Sequence, residues 1–142
     1  MRLILVVFGF LLSSLGAQAQ TSSPKALTGD DPFAAENCLQ ISLSMQVFLT
    51  QVLAVPPSPN SPPDFQDQNK VAQRIAQQNA RFWTVDLVNN KGQAYASSTI
   101  AQIKQSKPLI TAAKADQANV ARAFELLSYC DRLQAQKVKG AQ

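Results

Sequence analysis

Between Asp31 and Val55 the chain repeats apolar residues at intervals of four and three: Ala34, Cys38, Ile41, Met45, Phe48, Val52 and Val55. That spacing keeps side chains on one face of a helix. Leu39, Leu49 and Leu53 widen the stripe and leave Glu36, Gln40, Ser44 and Gln51 for a narrow polar face, so this helix needs cover on most sides. Asp31 is placed to cap its start. Pro32 suits the first helical position, where a missing N–H is no loss.

A connector follows at 56–63, with five prolines in eight residues, which cannot continue a helix and favours stiff, extended geometry. A PxxP-type ligand is the other reading of this stretch, and a rigid connector is the simpler one. A second helix is expected from Asp64, with Asp67 in its first turn. Val71, Ala72, Ile75, Phe82 and Val85 form its apolar face, and Lys70, Gln73, Arg74, Gln77 and Arg81 stand opposite. Its end is ambiguous, because residues 84–96 also alternate like two strands around Gly92. An isolated hairpin is marginal in water and no third strand offers itself. Helix to about Val88 with Gly92 near the C-cap is therefore favoured, and the hairpin stays open as the alternative.

Ser97, Ser98 and Thr99 offer a cap for a short third helix through Ile100 and Ile103, which Pro108 interrupts. The last helix begins near Asp116. It gathers Ala123, Leu126, Leu127, Cys130 and Leu133 on one face, with Arg122, Glu125, Asp131 and Arg132 turned away. Lys137 and Lys139 near its end meet the helix dipole favourably, and the chain from Gly140 is expected to fray. The expected fold is all-α, a small helical bundle of four or five helices with the first helix central.

The chain's first residues change this picture only by setting its compartment. Arg2, an apolar run from Leu3 to Leu15 and the small residues of Ala17-Gln18-Ala19 are the three parts of a secretory signal peptide, residues 1–19. A polar leader, 20–30, and the helical domain, 31–139, would follow, with no stable membrane anchor after cleavage. Export bears on the two cysteines, Cys38 and Cys130, which have one intramolecular pairing open to them and would form a disulfide in an oxidising compartment. Antiparallel packing of the first and last helices would bring them level. Removal of Arg2 with the signal leaves twelve basic residues against nine acidic ones. Lys70, Arg74 and Arg81 give one mildly basic face, read as solvated, and no dense cluster suggests nucleic acid.

Histidine is absent, which removes the usual general base, the Ser-His and Cys-His nucleophile pairs and the commonest transition-metal ligand. No CxxC, phosphate loop or calcium loop occurs, and neither metal nor cofactor is expected. Ser106-Lys107 reads as a loop beside Pro108, not as a dyad. Phe82, Trp83 and Tyr95 form the one aromatic concentration outside the first helix. They read first as core, with a partly exposed partner contact as the functional alternative.

The early cysteine helix, the Ala80–Leu87 aromatic-plus-leucine segment and the late Cys130 followed by Leu133 resemble uncharacterised small exported two-cysteine helical proteins of alphaproteobacteria. That resemblance implies no activity. The plan is also similar to periplasmic acid-stress chaperones, although here the cysteines lie further apart, the Pro-rich connector is extra and acidic residues are scarce. All-helical periplasmic immunity proteins are a third comparison. The functional expectation is a periplasmic or secreted, non-enzymatic interaction or structural protein, possible partner unknown, with a stress chaperone or immunity-type inhibitor as the alternative.

Overall fold

A computed structural model describes residues 34–111 and 115–141. The expected signal peptide and leader, and the Asp31-Pro32 start of the first helix, lie outside them. The described residues form four helices and no strand: α1 (Ala34–Leu53), α2 (Phe65–Lys91), α3 (Gln93–Gln105) and α4 (Gln117–Gly140).

Helix α1 buries ten of its residues, Cys38, Met45, Phe48 and Leu49 almost completely. It is the central helix, in contact with α2, α3, α4 and the segment between α3 and α4. It ends at Leu53 because Pro56 and Pro57 follow and force the chain out of helical geometry. The last turn tightens, with Ala54 N–H donating to Thr50 and Val55 N–H to Val52. Val55, expected on the buried stripe, therefore swings out and is exposed. Ser44, expected on the polar face, is buried, because the chain after α3 crosses over it and Leu109 N–H donates to its hydroxyl at 3.4 Å.

Helix α2 runs antiparallel to α1, in a register set by Lys91 on Glu36, Gln46 Nε2 on the Ala76 carbonyl at 3.3 Å and Gln73 Nε2 on Thr50 Oγ1 at 3.0 Å. Two apolar stripes compete on α2. The one that faces the core is Phe65, Ala72, Ala76, Ala80, Trp83 and Leu87; of the expected stripe, Ala72 is buried and Ile75 and Phe82 pack partly against the core, while Val71 and Val85 are exposed. The alanines at four-residue intervals permit close approach of the α1 backbone, since the distance between packed helices is set by the side chains at the contact. Asp64 stands at the N-cap position of α2, and its carbonyl accepts from Gln68 N–H at 2.9 Å, but its carboxylate caps no backbone N–H and takes the Gln68 side-chain amide instead.

The possible hairpin at 84–96 is helical. Helix α2 continues to Lys91, and Gly92, at φ 88° and ψ 161°, both ends it and starts α3. Gly92 N–H donates to Val88, and its carbonyl accepts from Ala96. Helix α3 thus begins at Gln93, four residues before the Ser97 cap expected from the sequence. Helix α4 begins near Asp116 as expected, and Asp116 caps it, accepting from Asn119 N–H at 2.8 Å. Helix α4 pairs with α1 in the opposite sense, with Cys38 level with Cys130 and their Cα atoms 5.5 Å apart in a disulfide. The result is an all-α bundle with one staple between its first and last helices.

Candidate functional site

The aromatic trio does not form a surface. Trp83 is 0 % exposed in the centre of the core, Phe82 packs edge-on against it with ring centroids 5.0 Å apart and is half-buried, and Tyr95 is exposed. A partner contact through Trp83 is thereby excluded. The indole is enclosed because its position on α2 falls on the small-residue stripe that faces α1. On its other side Lys137 of α4 lies 5.3 Å from the ring centroid, its ammonium held by both carboxylate oxygens of Asp86 at 2.9 Å. Lys137, expected as a dipole partner at the end of α4, is thus also a bridge between α4 and α2.

Tyr95 belongs to a second polar junction. Its hydroxyl donates to Glu36 Oε1 at 2.9 Å, and Lys91 binds the same oxygen while lying 4.9 Å from the Tyr95 ring centroid. Three elements, the start of α1, the end of α2 and the start of α3, meet on one carboxylate. Burial alone would push Glu36 up. The hydrogen bonds from Lys91, its own backbone and Tyr95, with the Lys91 charge, outweigh that and hold it below its ordinary value. The Glu36 hydrogen bond is also the main reason that Lys91 is raised.

Among the described residues, no group of three or more acidic or cysteine side chains comes together. Ser106 closes α3, its hydroxyl donating to the Ile103 carbonyl at 2.7 Å, and both Ser106 and Lys107 are exposed. Cys38 and Cys130 are fully buried in their disulfide. No described helix is long and apolar enough to cross a membrane.

Among the described residues two concave surfaces stand out, on opposite faces of α1. A shallow open groove runs between α1 and α2, with Leu43, Ala80 and Val85 as apolar lining and Gln46, Gln77, Thr84 and Arg81 as polar lining. Val47, one turn on from Leu43, is 46 % exposed and Val85 is 57 % exposed. Arg81 has no carboxylate within ion-pairing distance among the described residues. The second is a smaller cleft between α1, α4 and the Leu109-Ile110 stretch. Sequence reasoning left Arg81 on a solvated face and did not single out Leu43 or Val47. Their signal was the second, off-stripe apolar spacing from Leu43 to Val47. Comparison with protein-family models, characterised proteins and solved structures returns no match, so the functional reading rests on the chain's own residues.

Proposed function

We propose that the chain is an exported, disulfide-stapled protein without enzymatic activity that works by binding a protein partner along the α1–α2 groove. The observation that carries this reading is the groove's composition. In its apolar lining Val85 is exposed and Leu43 half-buried over a floor at Ala80, and its one charged lining residue is an arginine with no carboxylate in ion-pairing distance among the described residues. The neighbouring face of α1, with Asn37, Gln40, Val47, Thr50 and Gln51, carries no charge at all. Such a surface suits an amphipathic helix that sets apolar anchors over Leu43 and Val85 and a carboxylate opposite Arg81. The disulfide supports an oxidising, periplasmic or extracellular setting.

The test is co-purification from the native envelope with the wild-type chain and with Arg81→Glu and Val85→Glu, two exposed changes that leave the core intact. The expected result is one partner recovered with the wild type and lost from both variants, while their circular dichroism is unchanged. A partner retained by both variants, or none recovered with the wild type, overturns the reading and leaves a scaffold role.

A further inference from the structure

The cleft on the other side of α1 has a different character from the groove and calls for a different occupant. Its volume is about 170 Å³, open on one side to solvent. Ile41 and Met45 of α1, Ala123 and Leu126 of α4, and Leu109 and Ile110 of the crossing stretch make its walls apolar. Its three polar lining residues are Ser44, Asn119 and Arg122. Ser44 and Asn119 are already engaged, Ser44 accepting from Leu109 N–H and Asn119 bound through its side-chain amide to Asp116 at 2.8 Å. Arg122 is different. Its nearest carboxylate, Glu125, is 4.0 Å away and both side chains are exposed, a kind of pair that is weakly coupled in water. The cleft therefore combines an apolar chamber with one cation at its lining whose charge is little compensated.

Size narrows the ligand. An apolar protein cavity of about 150 Å³ takes a molecule the size of benzene, and Arg122 selects an anionic head through charge-assisted hydrogen bonds. We infer that the cleft between α1, α4 and Leu109-Ile110 is a binding site for a small monocarboxylic acid, its short aliphatic or aromatic body among Ile41, Met45 and Ala123 and its carboxylate on Arg122. Asp116 caps α4 and makes no ion pair with Arg122. The site stands independently of the partner groove, since Ile41, Ser44 and Met45 face the cleft while Leu43 and Gln46 face the groove.

Amide shifts of the ¹⁵N-labelled protein, titrated separately with hexanoate, benzoate, 1-hexanol and hexylamine, test the inference. Hexanoate and benzoate should shift Ser44, Met45 and Ala123 saturably at millimolar concentration, hexanol should bind more weakly and hexylamine not at all. Arg122→Gln, an exposed change that leaves the core intact, should weaken hexanoate about tenfold, to the level of hexanol, the loss expected for one charge-assisted contact. Ala123→Leu should fill the chamber and abolish binding of every probe. The inference is overturned if no probe gives a saturable shift, if hexanoate binds no tighter than hexanol or hexylamine, or if Arg122→Gln leaves hexanoate binding unchanged.

Discussion

Asn79 is fully buried, yet neither polar atom of its amide has a hydrogen-bond partner, and the indole N–H of Trp83 one turn on is in the same position. An unpaired buried polar group costs about 1–3 kcal/mol. Asn79→Leu, which keeps the branching and heavy-atom count of the side chain while removing both polar atoms, should therefore raise stability by about 1 kcal/mol in urea unfolding. A loss of stability instead would mean that the amide is hydrogen-bonded in solution. Glu36 makes the opposite kind of contribution. Its folded pKa lies below the ordinary 4.5, so its share of stability is complete above 4.5 and is lost as pH falls through the lower folded value. Lys91, raised above 10.5, keeps its share at every pH below that. The stability gap between wild type and Glu36→Gln should accordingly be constant near neutrality and close in acid. A gap that persists well below pH 4.5 would contradict the assignment. Neither residue's role could be read from sequence, because each depends on which residues of other helices come level with it.

At the scale of elements, α1 was legible and α2 only half so. The four-three spacing of α1 has one apolar stripe wide enough to settle its buried face. Helix α2 has two, and the larger side chains of Val71 and Val85 suggested the wrong one. Of that expected face only Ala72 is fully in the core, and burial went on to Ala76 and Ala80, whose advantage is close approach to α1, a property of the pair of helices and not of either alone. Ser44 was misplaced for a similar reason, since the stretch that covers it is 65 residues away in the chain. The junction at Gly92 was legible as a helix end but not as a helix start, because a single residue makes the whole turn. Its φ of 88° with ψ of 161° is a conformation essentially reserved for glycine. A Cβ added there would meet nothing within 4 Å, so Gly92→Ala should cost about 1–3 kcal/mol through backbone strain alone. Unchanged stability in urea unfolding would show that the α2–α3 junction can re-form without it.

For the whole molecule, the cysteine pairing was legible because the chain has two cysteines near opposite ends of its helical domain, and the antiparallel α1–α4 pair brings them together. The staple spans 92 residues. Closing a loop of that order removes about 4–5 kcal/mol of chain entropy from the unfolded state in the simplest treatment. The two concave faces were not legible, since each is assembled from residues of separate helices that look solvated or buried in isolation. Both proposed binding roles presuppose a protein that is exported and oxidised. Intact mass of the protein recovered from the native envelope, under non-reducing conditions, tests that most directly. The expected mass is that of residues 20–142, lighter by the two thiol hydrogens of Cys38 and Cys130. A mass that retains Met1 to Ala19, or two cysteines that both accept an alkylating reagent without reduction, would contradict it.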